Sequence, residues 1–407
     1  MTSWTEATVI DLADGKREFF NDGDWVESPF ITTSGNRLLQ TGNIGVSRLL
    51  NRGTKRYVSD DSFRTLRCKE VVPGDILICR LADPAGRACL VRDIGESRML
   101  TSVDVTIYRP NQQKVDRRFL VALFSTPAWF QEVSERCGGS TRTRIARSEL
   151  GKIKLILPPI EEQTRIADAL AAADDLIASL ERLIAKKQAI KKGMIQQLLT
   201  GRTRLPGFDS EWRRATIGSL SDQHRRSLDP RKEGGRRFQH FSLPAFDDGE
   251  MPVDQFGMQI DSIKFVVPQQ AILVSKLNPR IPRIWAPNGV GVNAIASTEF
   301  VVMTPKPGID RLFLMWLMKS DAVTSRMKLL ATGTTGSHAR IHPRQIAALE
   351  VVIPEEAEQV SIATILDEVS HEIGLINDRL VKARAIKTGM MQQLLTGRTR
   401  LPVEVSS

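Results

Sequence analysis

The sequence predicts an α+β chain built twice: two globular segments separated by two long antiparallel coiled-coil helices, the halves related by an internal pseudo-twofold duplication. Three observations predict it. The stretch from Gly193 to Pro206 (GMIQQLLTGRTRLP) returns from Gly389 to Pro402 with one difference in 14 positions, Ile195 against Met391. Upstream the match continues without a gap at a constant offset of 196, so that 24 of the 49 positions from Pro158 to Pro206 are identical. Both copies also carry an apolar seam at alternating steps of four and three residues. Two unrelated amphipathic helices would share hydrophobicity, but not Gln-Gln, Thr-Gly and Arg-Thr-Arg; the chain is an internal duplication. The expected domains are 1–157 and 207–353, globular; 158–206 and 354–402, the helical spacers; and a tail, 403–407.

The first segment mixes strand and helix. Val71-Val72-Pro73-Gly74-Asp75 reads as a turn entering a buried strand through Ile76 to Arg80, and Ser102 to Tyr108 alternates with strand period. Asp116 to Phe130, with Phe119, Leu120, Leu123 and Phe124, has helical spacing. Ile153 to Leu157 is a closing strand. Pro158-Pro159 then opens the first spacer, and Glu161-Glu162 place negative charge at the positive end of the helix dipole. Its seam is Ile166, Leu170, Ala173, Ile177, Leu180, Ile184, Lys187, Lys191, Met194 and Leu198; Thr200-Gly201 stops it. Some 40 residues at about 1.5 Å rise give roughly 60 Å of helix.

The second segment, 207–353, echoes the first faintly: Trp212 to Ile217 parallels Trp4 to Val9, and Asp310 to Leu314 parallels Asp116 to Leu120. The second spacer repeats the seam as Ile362, Leu366, Val369, Ile373, Ile376, Leu380, Ala383, Lys387, Met390 and Leu394. Pairing the two seams under a pseudo-twofold axis makes the helices antiparallel and sets the globular segments at opposite ends. Gly193 and Gly389 each cost about 1 kcal/mol within a helix, which a close helix crossing would explain.

Composition narrows the function. With 41% apolar and 26% charged residues the chain has a soluble profile. No apolar run nears the roughly 20 residues that span a bilayer, and Met1 to Lys16 lacks a signal-peptide core; a cytoplasmic protein without a membrane partner is expected. A net charge of +10 points to a polyanion. The four cysteines (68, 79, 89, 137) and five histidines are scattered without zinc spacing, so buried thiols and no metal are expected.

The Glu-Gln pairs 162–163 and 358–359, the heptad helices and the doubled Lys-x-Gly-Met-x-Gln-Gln-Leu-Leu-Thr-Gly-Arg-Thr-Arg-Leu-Pro together resemble the specificity subunit of type I restriction-modification systems, over nearly the whole chain. The resemblance implies two target recognition domains, each reading one half of an asymmetric bipartite site in double-stranded DNA, and a helical spacer that sets the unread gap. It implies that the helices dock two modification subunits, which bind S-adenosylmethionine and methylate adenine at N6. Restriction subunits, where present, add an ATP- and Mg-dependent nuclease. This chain then has no cofactor and no catalytic residue of its own.

Enzyme motifs are missing. The polar-Pro pairs Asp83-Pro84-Ala85, Asp229-Pro230-Arg231 and Asn278-Pro279-Arg280 do not continue to the Pro-aromatic of an amino-methyltransferase. Gly289-Val290-Gly291 lacks the third glycine of a nucleotide loop. A coiled-coil scaffold that binds nucleic acid without sequence preference, or a self-contained DNA methyltransferase, are the alternatives. For DNA contact the leading candidates lie in two loops before the closing strands, Gly138 to Arg147 and Gly333 to His342. Glycine lets backbone N–H groups approach phosphate, hydroxyls donate to it, and arginine adds charge or bidentate guanine recognition. These are Ser140, Thr141, Arg142, Arg144 and Arg147, then Gly336, Ser337, His338 and Arg340. Further candidates are Lys55, Arg56, Arg80 and its counterpart Lys276, Arg225, Arg226, Arg236, Arg237, Asn278, Arg280 and Arg283.

Overall fold

The computed structural model describes residues 4–51, 53–81, 83–139, 143–333 and 338–401. They divide into two units: residues 1–179 with 380–407, and residues 180–379. Each unit joins one globular segment to the start of one long helix and the end of the other.

In the first unit an antiparallel sheet runs in the order Phe20–Asp22, Val105–Tyr108, Ile76–Cys79, Ala88–Leu90. A second sheet runs Ile31–Thr32, Arg56–Val58, Asn36–Leu39, Met99–Thr101, its last pair parallel. All four residues of Ile76–Cys79 are buried, which accounts for a continuous apolar run in place of alternation. The expected strand from Ser102 begins only at Val105, because 102–104 form the turn that enters it. The expected helix over Asp116–Phe130 is two helices, Arg117–Leu123 and Pro127–Glu135. Proline at 127 cannot donate a helical hydrogen bond, and the Thr126 hydroxyl caps the new start by accepting from the Trp129 N–H.

The second unit repeats the plan. Its antiparallel sheet runs Ser221–His224, Phe300–Pro305, Ile272–Ser275, Ile284–Trp285, and a five-stranded sheet contains the parallel pair Arg237–Phe241 and Ala294–Ser297. In both units a two-stranded ribbon ties the beginning of the segment to its end: Thr5–Thr8 with Lys154–Leu157, and Arg213–Thr216 with Glu350–Ile353.

The long helices are Ile160–Leu198 and Glu356–Leu394, 39 residues each. In the first unit Ile166, Ala167 and Leu170 share one core with Leu394, Leu395 and the first globular segment. In the second, Ile362, Ala363 and Leu366 share a core with Leu198 and Leu199. Within each unit, therefore, the start of one helix lies against the end of the other, the antiparallel pairing the seam predicts. Ile184, Ile373, Ile376 and Leu380 are buried, and Ile177, Leu180, Met194 and Met390 half-buried. Lys187 pairs with Glu372 in the second unit and Lys387 with Asp174 in the first. Gly193 and Gly389 do not mark a close crossing: a Cβ at either would meet no described atom within 4 Å.

The doubled signature now has a local cause. Gln163, 1% exposed, accepts from the Asp116 N–H at 3.0 Å and donates to the Pro158 carbonyl at 2.8 Å. Gln359 does the same with the Asp310 N–H at 2.9 Å and the Pro354 carbonyl at 3.0 Å. Arg204 grips buried Glu358 with two hydrogen bonds of 2.8 Å, and Trp212 donates to the same carboxylate. Arg400 grips Glu162 likewise. Gly201 and Gly397 end their helices at φ +68° and +71°, where a Cβ would crowd Trp212 and Trp4 respectively. Arg204 and Arg400, whose roles the sequence alone leaves open, fasten a helix end to the other helix's start.

Candidate nucleic-acid interface

In the first unit the ribbon of Cys137–Gly138 with Arg144–Ile145 is stitched to the central sheet: Ile145 N–H donates to the Arg80 carbonyl at 3.0 Å, and Arg80 N–H to the Asp104 carbonyl at 2.8 Å. The Arg80 side chain lies beneath, 3% exposed, with its Nε 3.0 Å from Asp22 and its Nη2 donating to the Val103 carbonyl at 2.7 Å. Burial pulls its pKa below the ordinary arginine value; Asp22 opposes that shift. Above it opens a cleft of about 550 Å³ lined by Arg80, Arg136, Gly138, Arg144, Ala146 and Arg147. Arg144 stands 3.2 Å from Asp104 and Arg147 3.7 Å from Asp22, each partly exposed. The two carboxylates hold the guanidinium groups in place while leaving donors that face the cleft, an arrangement suited to phosphate or a guanine edge.

The second unit builds the same skeleton. Ile341 N–H donates to the Lys276 carbonyl at 3.1 Å, and Lys276 N–H to the Glu299 carbonyl at 2.8 Å. Arg340 pairs with Glu299 at 2.9 Å and bridges Thr332 through its backbone. Arg80 thus corresponds to Lys276, Asp104 to Glu299 and Arg144 to Arg340. Lys276 is held below the usual lysine pKa, first by burial and then by Arg340 and Arg225, with Glu299 opposing.

One position reverses. Tyr108 pairs with Ile76 and Phe20, and Met303 with Ile272 and Gln223. On that register Asp22 corresponds to Arg225, so an acid under the first unit's cleft becomes an exposed base in the second unit.

The other candidates are dispersed. Lys55 pairs with Glu96 at 2.9 Å. Arg225 and Arg226 are exposed on the turn after Ser221–His224. Arg236 pairs with Glu233 at 2.5 Å, and Arg237 stacks 4.9 Å from the Phe256 ring centre. Arg283 makes two bonds to Asp247, 2.7 and 2.8 Å, with a side chain only 13% exposed; it braces the protein more than it faces solvent. Asn278 takes the left-handed conformation at φ +48° and its N–H donates to the Ala339 carbonyl, a turn role. Arg280 and His338 are exposed. Ser140, Thr141, Arg142, Gly336 and Ser337 lie outside the described residues.

Sequence reasoning missed a second groove in the first unit, about 640 Å³, lined by Trp25, Gln40, Asn43, Thr54, Arg56 and Asp104 among others. Asp104, whose carboxylate pairs with Arg144, borders it, so the groove adjoins the arginine cleft. Trp25 is 72% exposed, and an unshielded indole beside amides and an arginine is a base-stacking surface. The one available signal was a tryptophan outside any apolar pattern. Among the described residues no group of three or more His, Cys, Asp and Glu side chains could hold a metal, and no helix is long and apolar enough to cross a membrane.

Known proteins share this plan. The family model of the type I restriction modification DNA specificity domain matches residues 28–192. The putative type I restriction enzyme MjaX specificity subunit of Methanocaldococcus jannaschii is 23% identical over 370 residues, 85% of this chain and 83% of that one. The crystal structure of a type I S subunit from M. genitalium superposes with a TM-score of 0.59 at 15% identity, covering 96% of each chain. A structure concerned with complex assembly and conformational transition of the type I R-M system gives 0.56 at 14% identity, covering 97% of this chain and 98% of that one.

Proposed function

We infer, from the match of residues 28–192 to the type I restriction modification DNA specificity domain and the likeness to a type I specificity subunit over 85% of the chain, that it is the sequence-reading subunit of such a system and that each globular segment reads one half of a bipartite DNA site. The observation that carries the reading is the backbone skeleton that the two units share beside Arg80 and Lys276. That skeleton presents an arginine–carboxylate pair twice, Arg144 with Asp104 and Arg340 with Glu299, while the side chains around it differ, as two readers of different half-sites require. Phosphate contacts from the exposed arginines would position the duplex, and the guanidinium groups of Arg144, Arg147 and Arg340, with Trp25, would supply discrimination.

The chain would have no catalytic residue and no cofactor. Two modification subunits docked on the helices would bring S-adenosylmethionine and methylate adenine at N6; restriction subunits would bring ATP, Mg and cleavage. Helices of 39 residues, at about 1.5 Å rise, are about 58 Å long, longer than one DNA turn of about 34 Å. The doubled Gln, Glu and Arg locks would fix each helix start within its own unit.

Mapping N6-methyladenine across the genome with and without the gene tests this. A two-part motif with an unread gap should vanish on deletion. Purified chain that binds DNA with no preference for one sequence over competitor would leave only a scaffold, and methylation by the chain alone would make it an enzyme.

A further inference from the structure

The two units differ sharply at one equivalent place beside the helices. The N-cap residues Asp116 and Asp310 are equivalent, each bonded through its N–H to the matching glutamine. Counting onward, Trp316 corresponds to Ala122 and Lys319 to Ser125; Lys191 and Lys387 are the same position of the repeat. In the second unit the Trp316 indole, 4% exposed, lies beneath two ammonium groups, Lys191 at 4.6 Å and Lys319 at 5.4 Å from the ring centre. In the first unit alanine and serine leave that volume open. A cavity of about 260 Å³ lies there, bordered by Ala122, Ser125, Ala167, Ala171, Asp174 and Lys387. At about 30 Å³ per water it would hold eight or nine, room for one aromatic side chain. Ala167, Ala171 and Asp174 are successive positions on one helix face, so the cavity opens along the spacer.

We propose that this cavity is a socket for one Trp or Tyr side chain of the modification subunit docked on the first unit's helix pair, seated under Lys387 as Trp316 sits under Lys191. The proposal rests on the docking role inferred above. The duplicate supplies the evidence for the occupant: the same scaffold, at the same place, holds an indole under a lysine. Two identical modification subunits on duplicated helices would then meet an open socket on one helix pair and a filled one on the other. That asymmetry gives the complex a direction.

The double variant A122W/S125K copies the second unit and plugs the socket. Titration with modification subunit, followed by native mass spectrometry, should show one of two docking events weakened at least tenfold, giving a one-to-one complex where the unaltered chain gives one-to-two. Independently, bimane attached at S125C, with Cys68 and Cys137 replaced by serine, should be quenched when modification subunit binds, since Trp or Tyr in contact quenches it. This second readout stands even if the plugged variant misfolds. Unchanged stoichiometry and affinity in the plugged variant, or binding without quenching, would overturn the socket. Failure of the unaltered chain to bind any modification subunit would instead overturn the docking reading.

Discussion

Gln163 and Gln359 do the same thing in two places; Asp22 and Arg225 stand in the same place and do opposite things. The glutamines are enclosed, and each serves an N–H and a carbonyl whose positions the fold fixes. No second residue type offers that donor and acceptor pair at that length, so drift there is costly. Asp22 is reached by solvent in part and Arg225 is exposed, so no enclosing partner fixes the charge at that place. Duplication kept the first kind of residue and released the second. The contrast separates positions that the fold constrains from positions that it leaves free to change.

The largest expected effect tests the first half of that contrast. Gln163→Ala and Gln359→Ala each leave a buried N–H without an acceptor, at a cost of about 1–3 kcal/mol for the stranded group. The two losses should be alike, because the two glutamines make the same pair of bonds at nearly the same lengths, and in the double variant they should add to within about 0.5 kcal/mol, as distant sites do. Urea unfolding with hydrogen exchange resolved to each unit gives both numbers. A wide difference would show that the repeats are alike in sequence and unlike in mechanics.

The sequence was most legible where one periodicity or one motif decides the outcome. The heptad seam located both helices and their antiparallel pairing, and the buried run Ile76–Cys79 was recognisable as a strand. The helix over 116–130 was misjudged because apolar spacing continues through Phe124 while Pro127 removes the hydrogen bond that continuity needs. Gly193 and Gly389 were misjudged because a glycine in a helix suggests close approach, whereas the space beside them is open. The candidate interface was half legible. The arginines stand out in glycine-rich loops, but the acids that orient them, Asp22, Asp104 and Glu299, come from distant strands, and only the folded register brings them together.

The candidate interface gives the next effect. Replacing Arg225 by Asp should weaken binding of target DNA about tenfold and lower the salt slope by about one, as expected for a lost phosphate contact. Asp22→Asn should act in the opposite direction: Arg80 and Arg147 lose their counter-charge, and affinity for nonspecific DNA rises. Binding isotherms from low to physiological salt measure both. Same-sign changes would mean that the two positions are not equivalent readers' neighbours, and the register argument would fail.

The smallest effect concerns acidity and should be confined to the second unit. His240 is held below the ordinary histidine pKa of 6.5, first by burial and further by Lys264, while its bond to Gln255 opposes the shift. Its Nδ1 lies 2.7 Å from the Gln255 carbonyl oxygen, and its Nε2 is buried without a partner among the described residues. A proton therefore binds the unfolded chain more readily than the folded one. Stability from this group is complete above about pH 6.5 and declines as pH falls through the lowered folded value. His240→Gln removes the titrating group, so unfolding curves from pH 8 to pH 5 should show a shallower acid loss in the variant. Parallel curves would mean that His240 is not part of what separates the two halves, and that the acid response of the second unit arises from its carboxylates instead.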